Sequence, residues 1–258
     1  MTDNSVQEAV SFRFDGQCVL VTGAGRGVGE AIARRFHRSG AKVVASDMDA
    51  DAAQRVAQSL DASGRTALGL GLDVRELADF ERARDRMLEQ WGRIDVVVNN
   101  AGHAKRTPVQ DISVAEFDDI VAINMRSVFL SCQVFGEHLR TQGRGRIVNV
   151  TSLAGQNGGT VASAHYAAAK AGANMLTKYF AQHLAGTGVT VNAVCPGPLD
   201  SAKGRLSAEQ ISTIAARVPV GRFGTTEEMA AAVAFLASEQ GGFFLGATLD
   251  LNGGLLMR

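Results

Sequence analysis

The sequence predicts an α/β protein: a single doubly wound domain whose seven-stranded, mostly parallel sheet carries helices on both faces. Three observations predict it. Short apolar, β-rich runs alternate with helix-length segments along the chain, the order a parallel sheet requires because its strands are joined by crossovers. The first run, Cys18-Val-Leu-Val-Thr22, opens directly into a glycine turn, Gly23-Ala-Gly-Arg-Gly-Val-Gly29, and then into a helical stretch. An acidic residue, Asp47, closes the second run.

The elements follow in order. A helix is expected from Glu30 to Ser39, stopped by Gly40, and a strand from Ala41 to Ser46. A helix over Ala50 to Leu60 precedes a strand around Ala67 to Leu72, and another helix covers Leu77 to Gln90. Ile94 to Val98 reads as the fourth strand, closing at Asn99-Asn-Ala-Gly102, and one long helix from Val114 to Leu139 carries Asn124 at its middle. The strand Arg146 to Val150 leads to an Ala-rich helix from Ala162 to Thr177. Val189 to Val194 and Thr248 to Leu251 complete the strands, with a helix from Glu227 to Ala237 between them. Pro196 to Pro219 is less periodic. No internal repeat or low-complexity linker divides the chain, so one Rossmann-type domain from residue 14 to residue 258 is expected after a flexible lead-in of residues 1–13.

Composition narrows the function classes. The chain has 258 residues, enough for one large core. Lysine plus arginine and aspartate plus glutamate balance at 26 each, so no basic field favours nucleic acid or an anionic membrane. Cys18, Cys132 and Cys195 lie far apart in apolar contexts without metal-ligand spacing, which predicts reduced thiols, a cytoplasmic location and no metal site. No segment is long and apolar enough to span a bilayer, and Met1 to Ser11 lacks the pattern of a secretory signal.

The chemistry centres on Tyr166-Ala-Ala-Ala-Lys170. Residues four apart share a helix face, so the phenol and the ammonium are neighbours. A cation beside a phenol favours the phenolate and lowers its pKa, one way to make a tyrosine a general acid/base near neutrality. Ser152 ends the preceding strand and is aimed at the same region, with Thr151 as the alternative hydroxyl. In the glycine turn, Gly23, Gly27 and Gly29 allow tight turning and close approach of a pyrophosphate to a helix N-terminus. Asp47 can accept hydrogen bonds from an adenosine ribose 2′-OH and repels a 2′-phosphate, whereas Arg26 attracts one. NAD is therefore the expected cofactor and NADP the alternative.

Taken together, Thr22 to Gly29, Asp73, Asn99-Asn-Ala-Gly102, Asn124, Ser152, Tyr166-x-x-x-Lys170, Pro196-Gly197, Arg222-Phe-Gly with Glu227-Glu-Met-Ala, Gly246 and Asn252-Gly-Gly254 stand in the order of the short-chain dehydrogenase/reductase family, which the chain resembles from about residue 14 onward. The C-terminal part is similar to 3-oxoacyl-thioester reductases and to sugar or polyol dehydrogenases. The resemblance implies interconversion of a secondary alcohol and a ketone. Tyr166 would exchange the proton, Lys170 hold the nicotinamide ribose, Ser152 bind the substrate oxygen and Asn124 position a water. It also implies cofactor contacts from Gly23, Arg26, Gly27, Val28, Gly29, Asp47, Asp73, Val74, Asn100, Ala101, Gly102, Pro196, Gly197, Leu199 and Ser201, besides Tyr166 and Lys170. An NADPH-dependent 3-oxoacyl-thioester reductase is the rival enzyme, and a non-catalytic dinucleotide-binding protein the rival of another class. A homotetramer burying the apolar stretch Gly241 to Met257 is implied as well.

Two departures bear on the substrate. The loop from Ser152 to Tyr166 is one residue longer than is usual, with Gln156-Asn-Gly-Gly159 at its tip, and Ser201 stands where a threonine is common. Residues 198–219 have the length of a substrate lid. Lys203 and Arg205 within it, with His103, Lys105, Arg106 and His165, are expected as pocket residues for an anionic or polyhydroxylated small molecule.

Overall fold

The computed structural model describes residues 12–159 and 163–258. Seven strands form one sheet: β1 (Cys18–Thr22), β2 (Lys42–Asp47), β3 (Ala67–Gly71), β4 (Val96–Asn99), β5 (Gly145–Val150), β6 (Val189–Pro196) and β7 (Thr248–Leu251). Their order is β3-β2-β1-β4-β5-β6-β7, and every pair is parallel. The order reverses between β1 and β4, which opens a crevice at the C-terminal ends of the strands, where such sheets bind ligands.

Helices cover both faces, so the strands read as continuous apolar runs rather than alternating ones. One core layer joins Val19 and Val21 to Ile32 and Phe36 of α1 (Gly27–Arg38) and to Met229 and Val233 of α9 (Thr226–Ala237). The opposite layer joins Cys18 and Leu20 to α3 (Leu77–Trp91), α5 (Ser127–Gln142) and α7 (Ala164–His183) through Phe80, Phe135 and Phe180. The successive residues of β1 thus feed both layers, as a period of two requires.

Several boundaries differ from expectation for identifiable reasons. Residues 1–11 of the expected lead-in lie outside the described residues, while Phe12 packs its ring 5.8 Å from that of Phe235. Helix α1 begins at Gly27, inside the glycine turn, and α7 runs to His183, well past Thr177. The helix expected over Val114 to Leu139 is broken. α4 (Val114–Val121) passes through a wider π turn at Ala122–Arg126 into α5. Asn124 sits in that turn. The aperiodic piece after Pro196 is also more regular than expected: a 3₁₀ turn at Asp200–Arg205 leads to α8 (Ala208–Arg217). None of the residues of α8 is buried, so the helix has no deep apolar stripe for periodicity to register. Its legible signal is the capping box Ser207-x-x-Gln210, formed in both directions.

Candidate active site

The glycine turn is built for a close approach. Gly23 and Gly27 have φ of +64° and +62°, backbone that side chains rarely adopt. A Cβ on Gly29 would collide with the carbonyl oxygen of Gly23 and lie 2.6 Å from Asn100 Nδ2. The turn is held from β1 and β4. Thr22 Oγ1 accepts the backbone N–H groups of Asn100 and Ala101, each at 3.0 Å, and Asn100 Nδ2 donates to Thr22 O at 2.8 Å. Arg26 is the N-cap of α1 and makes no capping bond, so no capping side chain occupies the first-turn N–H groups. A pyrophosphate fits that cradle. The Cβ of Ser201 lies 3.9 Å from where a Cβ on Gly27 would be, which brings the segment after β6 over the turn.

Asp47 ends β2 beside this cradle. Its Oδ2 accepts Gly25 N–H at 3.0 Å and its Oδ1 accepts Asp49 N–H at 3.1 Å, so the carboxylate is fixed with its charge at the rim. Asp73 is engaged by Arg75, whose Nη2 donates at 2.6 Å while its Nη1 reaches Asp119 at 2.9 Å. That guanidinium holds the Asp73 carboxyl below its ordinary range. Val74 is buried next to it. Arg75 was not among the residues expected; its only signal is adjacency to the Leu-Asp-Val run.

Farther along the rim, β5, α7 and the π turn converge. Tyr166 and Lys170 share a face of α7, with Lys170 Nζ 5.9 Å from the phenol ring centroid. Lys170 is buried, and Nζ donates to Val150 O at 2.8 Å. Gly102 passes so close that a Cβ there would stand 3.0 Å from Asn124 Oδ1 and 3.3 Å from Lys170 Nζ. Asn124, fully buried, accepts His103 N–H at 3.2 Å and donates to the carbonyls of His103 and Ile120, both at 2.9 Å. It thereby stitches the π turn to the loop after β4. Thr151 is turned into the sheet, its hydroxyl bonded to Val194 O at 3.3 Å, which leaves Ser152 as the hydroxyl beside Tyr166.

The expected electrostatics need correction. Burial raises the Tyr166 phenol above its ordinary value, with the Ser152 hydroxyl pulling the other way. The same burial lowers Lys170 to about 8, so the cation is itself disfavoured, and its ammonium points at a carbonyl rather than at the phenol oxygen.

Two expected pocket residues are occupied elsewhere. His165 is fully buried with Nε2 3.0 Å from Glu116 Oε1, and Lys105 pairs with Glu116 Oε2 at 3.2 Å. His103 and Arg106 are exposed, Lys203 lies 5.3 Å over the Phe223 ring, and the side chain of Arg205 is outside the described residues. Pro196 ends β6, and Gly197 and Leu199 follow it. Gly197 N–H bonds to Leu251 O at 2.9 Å, and a Cβ on Gly197 would lie 3.0 Å from the Asn252 backbone. The extra loop forms a helical turn, α6 (Ala154–Asn157), ended by Gly158 and Gly159 at φ of +79° and +76°. A buried relay, Asn99 to Asn149 at 2.8 Å and Asn149 to Thr177 at 2.9 Å, ties β4 and β5 to α7. No periodicity announces it. The three thiols are free, and burial raises each of them, to about 11 or 12. Among the described residues no group of three His, Cys, Asp or Glu side chains is arranged to hold a metal, and no helix is long and apolar enough to cross a membrane.

A dinucleotide cradle at the switch point, with a phenol, a hydroxyl and an ammonium at the same rim, defines an oxidoreductase of the short-chain dehydrogenase/reductase class. A family model described as enoyl-(acyl carrier protein) reductase matches residues 23–256, and the chain belongs to that family. It is similar to the 3-oxoacyl-(acyl-carrier-protein) reductase FabG of Escherichia coli, 38% identical over 247 residues, 95% of this chain and 99% of that protein. It is similar also to the D-threitol dehydrogenase of Mycolicibacterium smegmatis, 35% identical over 252 residues, 96% of this chain and 95% of that protein. The 2-(S)-hydroxypropyl-CoM dehydrogenase 3 of Xanthobacter autotrophicus is 38% identical over 253 residues, 95% of this chain and 99% of that protein. The chain is an enzyme that acts on a CH–OH group or its carbonyl counterpart.

Proposed function

We propose that this enzyme is an NAD-dependent dehydrogenase of a small secondary alcohol, with Tyr166 as its general acid/base. The observation that carries the reading is the meeting of Tyr166, Ser152 and Lys170 from α7 and the end of β5, next to the Gly102–Asn124 contact. The nicotinamide would supply or accept the hydride. Tyr166 gives its proton to the carbonyl oxygen in reduction and removes the alcohol proton in oxidation. Ser152 donates a hydrogen bond to the same oxygen and orients it. Lys170 would hold the cofactor ribose, with its amine 5.9 Å from the Tyr166 ring centroid. Asn124, bonded to the carbonyls of His103 and Ile120, keeps the π turn open for a proton-relaying water.

Gly23, Arg26, Gly27, Val28 and Gly29 would hold the pyrophosphate, and Asp47, Asp73 and Val74 the adenosine end. Asn100, Ala101, Gly102, Pro196, Gly197, Leu199 and Ser201 would flank the nicotinamide half. The fixed charge of Asp47 favours a ribose 2′-OH over a 2′-phosphate, which supports NAD. Residues 198–219, including α8 with no buried side chain, act as the lid over the substrate. Exposed Phe243, Leu245 and Met257 support a homotetramer that covers the C-terminal stretch. A second reading, an NADPH-dependent 3-oxoacyl-thioester reductase, is supported by the similarity to FabG and by the exposed Arg26.

Calorimetric titration with NADH and NADPH in parallel tests the reading. Trp91 would be a poor reporter, because its indole bonds to Arg65 O and lies by Lys42, the first residue of β2, at the far end of the sheet from the cradle. Clear preference for NADH supports the alcohol dehydrogenase. Preference for NADPH, with turnover of acetoacetyl-CoA, moves the thioester reductase to the lead, and binding of neither refutes the dinucleotide site.

A further inference from the structure

Glu116, in the first turn of α4, gathers three partners from two other parts of the chain. Its Oε1 accepts the Thr107 hydroxyl at 2.6 Å and meets His165 Nε2 at 3.0 Å, while Oε2 meets Lys105 Nζ at 3.2 Å. His165 immediately precedes Tyr166. It is fully buried and stacked on Phe117, ring centroids 6.4 Å apart at 26°. Facing a carboxylate oxygen, Nε2 is the donor. Among the described residues, buried Nδ1 has no hydrogen-bond partner, so Glu116 is the polar contact of the ring. Ser163, the residue before α7, provides a second clamp. Its Oγ accepts Thr107 N–H at 2.7 Å and can donate its one proton to Lys105 O at 2.9 Å or Thr107 O at 3.0 Å. The other end of the same segment is held by Asn124, which bonds both backbone groups of His103.

The segment from residue 103 to 107 leaves the C-terminal end of β4 past Gly102, hence beside Lys170 and Asn124. Exposed loops at such rims are ordinarily mobile. This one is fastened at both ends by side chains, and one fastening runs through the first turn of the helix that carries Tyr166.

We propose that Glu116 is a positioning residue of this enzyme: through Thr107, Lys105 and His165 it holds residues 103–107 against the start of α7 as the substrate-side wall of the site. The proposal rests on Tyr166 being the acid/base. Its consequence is a split. Freeing the wall weakens the hold on substrate, whereas the cofactor, bound by the glycine turn and Asp47, is unaffected.

The test uses Glu116→Ala, Glu116→Gln and Thr107→Val in the full chain. Acetoacetyl-CoA and D-threitol serve as substrate probes, NADH binding is read by calorimetry, and hydrogen exchange is followed over residues 103–107. Glu116→Ala should raise KM about ten-fold with kcat within about three-fold and NADH affinity within about two-fold of wild type. Amides of residues 103–107 should exchange faster. Glu116→Gln keeps an acceptor for Thr107 and His165 and should fall between. A KM within about two-fold of wild type, or NADH affinity lost in parallel with substrate affinity, overturns the proposal. If the wild type turns over neither probe, the functional reading above fails for both substrate classes and exchange alone decides this one: unchanged protection of residues 103–107 overturns it, and faster exchange supports it. Should Glu116→Ala not fold, Thr107→Val carries the same readouts.

Discussion

Removing the lysine thought to serve catalysis should make the protein more stable. Lys170 is buried, and burial lowers its pKa from 10.5 to about 8. At about 1.4 kcal/mol for each pKa unit, keeping that amine charged in the folded state costs about 3 kcal/mol. Because the folded value lies below the unfolded one, the folded chain binds fewer protons. The cost is fully present below pH 8 and fades as pH rises from 8 to 10.5. Lys170→Met keeps the length and apolar stem of the side chain and removes the charge. It also removes the bond from the charged Nζ to Val150 O at 2.8 Å, worth about 2 kcal/mol. A net gain of about 1 kcal/mol remains, or a rise in Tm of roughly 3 °C for a chain of this size. Thermal and urea unfolding of both proteins at pH 7, 8, 9 and 10 would show it, with the advantage of the variant shrinking toward pH 10. Activity should be lost throughout. A variant no more stable than wild type at pH 7, or an advantage that ignores pH, would refute the reasoning. It would mean that the ammonium is better solvated than its surroundings imply.

Three further outcomes are expected. Gly29→Ala, whose Cβ would strike the Gly23 carbonyl, should weaken NADH binding at least ten-fold and lower stability by about 1–3 kcal/mol, read by calorimetry and urea unfolding. Asp47→Ser keeps an acceptor for Gly25 N–H but removes the charge; the ratio of NADH to NADPH affinity should fall by about ten-fold or more in parallel titrations. Asn124→Ala leaves the Ile120 carbonyl in the π turn without its side-chain donor and unties His103, so a loss of about 2 kcal/mol by circular-dichroism melting is expected, with a fall in kcat. An Asn124→Ala protein that melts with the wild type would show the π turn to be held by other contacts.

Much of the architecture was legible because it is written locally. Apolar runs of strand length separated by crossover helices leave few arrangements open, and a glycine turn after the first run locates the switch point. Tyr166 and Lys170 were legible for the same reason, since a spacing of four places two side chains on one helix face wherever the helix lies. His165 shows the limit of such reading. Its neighbour Tyr166 points to the site, but the next position on a helix is turned by about 100°, and the structure sends it to Glu116, 49 residues away in sequence. The π turn at Ala122–Arg126 was equally hidden, because one wide turn barely disturbs a helical pattern.

The sequence by itself determined the class of fold, the place of the glycine turn, and the residue types of the phenol, hydroxyl, amide and amine group. The fold class and the turn follow from periodicity and the special geometry of glycine, which act over a few residues; the phenol, hydroxyl, amide and amine were picked out by the order in which they resemble the family's motifs. Only the tertiary structure decided which of those groups carry charge and where they point. Lys170 aims at the Val150 carbonyl, Thr151 turns away, Arg75 claims Asp73, and burial raises the tyrosine that the lysine was expected to lower. Desolvation and hydrogen bonding depend on which distant segments close over a group, and that is set only when the whole chain has packed.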